Sequence, residues 1–405
     1  MRGGKRDLTV RYGVTQFTHW LASTGAASFG ATYLLAKNVP AGTVGLLMAL
    51  AGLLSCVSQP LLAARADRAR SCILPRMLLV MAALICVCLA AQLVPGLPLA
   101  PLAILYAVGL WSSDTMQPML SALSVACNDG GFPVNFGAAR GVAAAASALS
   151  TLAVGHLIAR LGFSWMIGFL LLACGGCAVS LCTYPKLQKP QTKHTAADTS
   201  CGVGQFFVRY PRYCVSLLGV AFLGMFHCMT ENYLIAIVTP LGGDSSTVGT
   251  ALFISSLSAG PVIFFFSRIR QHLRDSAILK IAGVSFLVKA VGFLLARSIG
   301  AIWALELLQI PSYALLAPAQ VYYASSMVRP ADMVKGQAFI TAFYALGCAG
   351  GNFAGGQLLS RGVRAILLAG VAMAAAGTVI LFLTVKRSER STTEGARDAD
   401  PAHAP

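Results

Sequence analysis

The chain has 405 residues, of which 57% are hydrophobic and 11% charged, with a mean hydropathy of +0.72. Soluble globular proteins carry about 25% charged residues, so water is excluded as the main solvent of this one. The net charge of +16 would suit a nucleic-acid partner in a soluble protein, but the basic residues gather in alternate loops between apolar runs, which excludes that reading.

Twelve apolar stretches approach or exceed the 17–25 residues that cross a bilayer, at 11–36, 40–63, 73–94, 98–125, 137–160, 163–184, 211–237, 247–267, 276–297, 299–327, 336–360 and 363–386. The expected fold is all-α: a polytopic membrane protein of twelve spans. Arg65, Arg68, Arg70 and Arg76 follow span 2, Lys186, Lys189 and Lys193 lie in the central loop, and Arg268, Arg270 and Arg274 follow span 8. The positive-inside rule then puts both termini in the cytoplasm of a cell bounded by an inner or plasma membrane.

Span 1 carries Tyr12, Gln16, His19 and Ser23 at helical spacing, so they share one face. Its apolar run, Val14 to Ala36, is too long for the h-region of a cleaved signal and reads as retained. Span 2 ends in "SQPLLAARADR", where Pro60 permits a bend and Asp67 with Arg68 forms a candidate gating loop at the cytoplasmic face. The plainer reading of that loop is positive-inside anchoring. Asp114 lies in span 4, four residues before Pro118, and Arg140, Ser147 and Thr151 stripe span 5. Cys174-Gly-Gly-Cys177 sits inside span 6, where small residues for close helix contact explain it better than redox or metal chemistry.

The one long polar interruption, near Tyr184 to Gln205, reads as a cytoplasmic linker. It divides the chain into an N-terminal segment (1–10), a first six-helix bundle (11–184), the linker (185–210), a second bundle (211–386) and a polar tail (387–405). Landmarks recur across it: Pro60 and Pro261, Gly155 and Gly356, and Arg160 and Arg361 each differ by 201, and "GHLIAR" rhymes with "GQLLSR". Two pseudo-symmetric bundles are the layout of carriers that rock around a midplane site.

In the second half, His227 and Glu231 are four apart on span 7. Lys289 lies on span 9, and Glu306, Gln309 and Tyr313 share a face of span 10. Span 11 repeats the pattern with Gln337, Thr341, Tyr344 and Cys348, and spaces Gly347, Gly351 and Gly355 by four for close packing. An ionisable group at mid-span costs at least about 2.5–3.5 kcal/mol, so polar stripes drawn from both halves imply a wet central cavity. No lysine-bearing Gly-rich phosphate loop, clustered Cys/His set or Ser-His-Asp signature is present, so no cofactor or metal is expected and the chain reads as a transporter rather than an enzyme.

These residues carry a resemblance. "DRAR" resembles the loop motif of the major facilitator superfamily, although Ala63 and Arg70 stand where it has glycines and Ser71 where it has Arg. "SQPLLAARAD", "NFGAAR", "AGVSFLVK" and "VYYASSMVRPADMVKGQA" are similar to its lactose permease branch, the proton symporters for oligosaccharides, nucleosides and phenylpropionate. The resemblance implies that Arg140 matches a substrate-binding arginine and Lys289 a helix 9 arginine. It also aligns Glu306 and Gln309 with a His and a proton-exchanging Glu, so the acid has moved by one turn or its role has passed to Glu231. The branch's helix 4 glutamate falls near Ala122 and its stacking tryptophan at Ser147, which disfavours a galactoside.

The expected function is secondary active transport of a small organic solute, with proton symport as the leading form. The solute class, whether sugar, nucleoside or aromatic acid, stays open. Proton-coupled efflux of amphipathic compounds and a transport-inactive receptor are the alternatives. Candidate substrate contacts are Arg140, His19, Asp114, Gln337 and Tyr344, and candidate proton-coupling residues are Glu306, Lys289, Glu231 and His227. Arg140 could instead snorkel to the interface, His19 could be a packing partner, and Glu306 with Lys289 a structural ion pair. The expected partners are the solute, protons and lipid around a functional monomer.

Overall fold

The computed structural model describes residues 8–69, 72–185, 187 and 202–385. The first half runs through α1 (Thr9–Ala36), α2 (Ala41–Arg68), α3 (Leu74–Ala91), α4 (Leu99–Asp129), α5 (Phe136–Leu161) and α6 (Phe163–Cys182). A short helix, α7 (Val203–Arg209), falls within the sequence-predicted linker and packs Phe206 against Tyr210, Tyr213 and Phe339. The second half follows with α8 (Pro211–Asn232), α9 (Leu234–Val238), α10 (Ser245–Phe264), α11 (Phe266–His272) and α12 (Asp275–Leu295). It closes with α13 (Ile299–Glu306), α14 (Tyr313–Met327), α15 (Met333–Leu359) and α16 (Val363–Thr384). No strand occurs among the described residues, because lipid leaves each span to satisfy its backbone polar groups internally.

Among the described residues, eight helical stretches are long and apolar enough to cross a membrane, with Ile299–Met327 (α13 and α14) counted as one, and nine if α10 and α11 count as one bent span. The remaining three of the twelve predicted spans are α1, α4 and α15, with 28, 31 and 27 residues. They have the length but are diluted by the polar residues that they turn into the protein, among them Gln16, Ser113 and Asn352. Three spans of the second half are also interrupted. Span 7 breaks at Tyr233 between α8 and α9, and span 8 turns by 62° between α10 and α11. Span 10 breaks after Glu306 into a 3-10 turn at Leu307–Gln309 before α14 resumes. Pro311 lies in that gap, where its missing N–H and its ring oppose a continuous helix. By contrast α2 continues through Pro60, so the expected bend there is not a break.

The halves repeat their packing. In the first, α3 packs on α4 and α6; in the second, its counterpart α12 packs on α14 and α16. Between halves, α2 packs on α15 and α5 on α10, and each of these pairs maps onto the other when the halves are exchanged; α1 meets α8 between them. Gly162 (φ 87°) ends α5 and Gly362 (φ 100°) follows α15, so both turns use the left-handed region that only glycine enters without strain.

These contacts seal one end of the seam between the halves. An added Cβ would lie 2.6 Å from Ser245 O and 2.8 Å from Gly249 Cα at Gly155, and 2.5 Å from Ala41 O and 2.8 Å from Gly45 Cα at Gly356. All four glycines lie on the side opposite the start of α1, where Gln357 Nε2 also donates to Gly42 O (3.3 Å). Toward the other end polar residues that lipid would not accept are exposed on the same helices, Arg140 of α5 and Gln337 and Thr341 of α15. The seam is therefore closed on one side and open on the side where α1 begins. The Gly347, Gly351 and Gly355 series does a different job: it packs α15 on Ala221, Met225 and Tyr233 within the second half.

Candidate functional site

The second half holds a buried ion cluster. Lys289 and Glu306 are each 1% exposed, and the ammonium donates to Glu306 Oε2 at 2.8 Å and to Gln309 Oε1 at 3.1 Å. Glu306 ends α13 and Gln309 ends the 3-10 turn, so the break in span 10 positions both acceptors against α12. Unpaired, either charge would be costly at this depth. Phe293 closes over the ammonium, 5.7 Å from its ring centroid.

Beside the cluster, His227 Nε2 lies 3.5 Å from Glu231 Oε2. The imidazole stacks on Tyr313, with centroids 5.1 Å apart and an interplanar angle of 11°, and meets the edge of Phe286. Tyr344 of α15 stands 6.0 Å from Tyr313, so His227, Glu231, Tyr313 and Tyr344 form one aromatic and acidic surface. The Cys348 thiol of α15 donates to Gly224 O of α8 (3.9 Å). Gln337 is exposed nearer the open end of α15 and does not join them.

In the first half a hydrogen-bond chain builds a platform. Tyr12 donates to Leu120 O (2.9 Å), Gln16 Nε2 donates to the Tyr12 hydroxyl (2.7 Å), and Trp20 Nε1 donates to Gln16 Oε1 (3.0 Å). The Arg140 guanidinium lies over the Trp20 ring at 5.7 Å. Arg140 is exposed and has no carboxylate within 4.0 Å among the described residues. Trp20 was not singled out by sequence; its spacing of four from Gln16 was the available signal. It supplies an indole beside Arg140, whereas Ser147 accepts from Thr24 (3.0 Å).

Asp114 is half-buried near the middle of α4, and its backbone carbonyl accepts from Gln59 Nε2 (3.2 Å). Trp111 Nε1 donates to Ser58 Oγ (2.9 Å), so the "SQP" of α2 fastens α2 to α4. His19 turns the other way: it is 3% exposed, its Nε2 has no hydrogen-bond partner, and it lines a cavity of about 20 Å³ within the first half, with Gln92, Ser113, Cys174 and Cys177. It faces α3, α4 and α6 rather than the seam. Arg68 is exposed at the last residue of α2; the side chain of Asp67 lies outside the described residues.

A sequence model of the family described as "MFS_1 like family" matches residues 17–368. No curated protein has a sequence that matches this one. The nucleoside transporter NupG superposes with a TM-score of 0.77 at 13% identity, over 93% of this chain and 98% of its own. A bacterial homologue of the human lysosomal transporter Spinster, inward-facing and occupied, gives 0.68 at 12% identity over 93% and 95%. A mutant of the peptide transporter POT, in complex with alafosfalin, gives 0.69 at 14% identity over 93% of each chain. At these identities the likeness is one of fold.

Proposed function

The chain belongs to the MFS_1 like family, a family of membrane transporters, and on that footing we propose that it takes up a small polar or anionic organic solute by proton symport. The halves rock about the seam, which opens alternately to each side. The site would lie between the Trp20–Arg140 platform with Asp114 and the wall of His227, Glu231, Tyr313 and Tyr344. Both termini face the cytoplasm, the membrane is the inner or plasma membrane, and a monomer suffices.

The observation that carries proton coupling is the buried Lys289–Glu306–Gln309 cluster at the break of span 10. A proton on Glu306 removes the counter-charge of Lys289, which then depends on Gln309 and on the nearby Glu231. A helix already interrupted at that point responds by shifting its two pieces. Each charge moved through the membrane potential gains about 2.3 kcal/mol per 100 mV, enough to concentrate a solute more than tenfold.

The test is Glu306→Gln in purified protein reconstituted into liposomes, with a solute found by thermal stabilisation across sugars, nucleosides, aromatic acids and amines. Accumulation driven by a pH gradient is lost while exchange at equilibrium persists. Unchanged uphill uptake rejects the assignment. A groove of about 400 Å³ lined by Val10, Val14, Phe17 and Val142 favours a second reading, efflux of amphipathic compounds. An opposite direction of net flux under the same gradient would establish it.

A further inference from the structure

The ions of the two halves are handled differently. In the second half the mid-span charges have partners among the described residues: Lys289 has Glu306, and Glu231 lies 3.5 Å from His227. In the first half neither Arg140 nor Asp114 forms an ion pair among the described residues, although both are on helices that a bilayer surrounds. Both stand at the seam: Arg140 is exposed on α5, the helix that packs on α10 of the other half, and Asp114 lies beside Gln59 of α2, the helix that packs on α15. They flank α1, which packs on both α4 and α5 and places Trp20 next to the guanidinium.

Two unlike charges left without partners on one wall of a wet seam are complementary to a ligand carrying the same two charges in reverse. We propose that the solute is an aromatic zwitterion with separated charges, its carboxylate on Arg140 and its ammonium on Asp114. Arg140 offers a planar fork that suits a carboxylate, and Asp114 is a pure acceptor that suits an ammonium. Trp20 on one wall and Tyr313 with Tyr344 on the other offer ring faces to a flat body between the charges. Arg140 and Asp114 are not within salt-bridge distance of each other, so the ligand's charges stand at opposite ends of that body.

This rests on the transport reading above, and the experiment separates the two. Equilibrium binding to purified protein, with no gradient, compares 4-(aminomethyl)benzoate with 4-methylbenzoate and 4-methylbenzylamine, each lacking one charge. The zwitterion binds roughly ten- to a hundredfold more tightly than either. Arg140→Ala abolishes the difference between the zwitterion and the amine, and Asp114→Asn the difference between it and the acid. Arg140→Lys and Asp114→Glu restore part of each, and unliganded melting curves check that every variant folds.

Equal binding of the three compounds, or none by the zwitterion at millimolar concentration, overturns the proposal. So do variants that fold yet keep the wild-type discrimination, as charges that only pair across the seam in another conformation would require. A zwitterion that binds but is never carried leaves the proposal standing and counts against transport.

Discussion

Alanine at Gly155 and Gly356 should open the sealed end of the seam. The Cβ of Gly155→Ala would lie 2.6 Å from Ser245 O and 2.8 Å from Gly249 Cα, and that of Gly356→Ala 2.5 Å from Ala41 O. These neighbours are backbone atoms of the opposite half, which cannot rotate away as a side chain would. Relief requires the halves to separate. Overpacking of this kind costs about 1–3 kcal/mol per site, and the two sites lie on different helix pairs, so their effects should add. Since roughly 1.4 kcal/mol is a tenfold change in an equilibrium, the double variant should move the population of the sealed state at least tenfold. Spin labels at Leu161 and Ser246, at the ends of α5 and α10 that meet there, read the change as a longer distance distribution, and exchange through liposomes slows with it. Gly168→Ala, with no atom within 4 Å of the added carbon, is the control and leaves both readouts unchanged. If the double variant folds and keeps the wild-type distances, the glycine contacts do not hold the seam shut.

Lys289→Ala strands a buried carboxylate and should lower stability by about 3–5 kcal/mol, seen as a large drop in Tm in detergent; Lys289→Met with Glu306→Met recovers most of it and still fails to accumulate solute. Asp244 caps α10 by accepting from Thr247 N (3.0 Å) and the Ser246 hydroxyl (2.6 Å), so Asp244→Ala costs about 1 kcal/mol. The Ser246 hydroxyl and Thr247 N–H hold that carboxyl below its ordinary pKa. Its contribution is therefore full above the unfolded value of about 4 and is lost as pH falls through the lower folded value. Melting curves taken downward from pH 5 should show that loss in the wild type and its absence in Asp244→Ala. Trp20→Ala removes the ring beneath Arg140 and should weaken solute binding about fivefold in equilibrium titrations, with Trp20→Phe less affected; equal affinity in all three would remove Trp20 from the site.

The helices were legible because lipid imposes a strict rule on a chain: long apolar runs, internally bonded, with cations at one set of ends. Spans 3, 6, 9 and 12 obey it simply, and α3, α6, α12 and α16 match their predicted bounds within a few residues. The interruptions were harder to read, since hydropathy does not distinguish a continuous span 10 from one broken at Glu306. Among the candidate residues, Lys289 with Glu306 and His227 with Glu231 do meet. Gln337 stands apart, and His19 shares the polar face of α1 but points into the first half.

Composition and periodicity thus determined that this chain lives in a bilayer and where its apolar helices run, since each is a property of residues near one another in sequence. Which stripe meets the seam, which ion finds a counter-ion and which end is shut were decided by packing alone. Those outcomes depend on how each helix is rotated about its axis, and that rotation is set by contacts such as Gly155 with Gly249, formed between residues 94 positions apart.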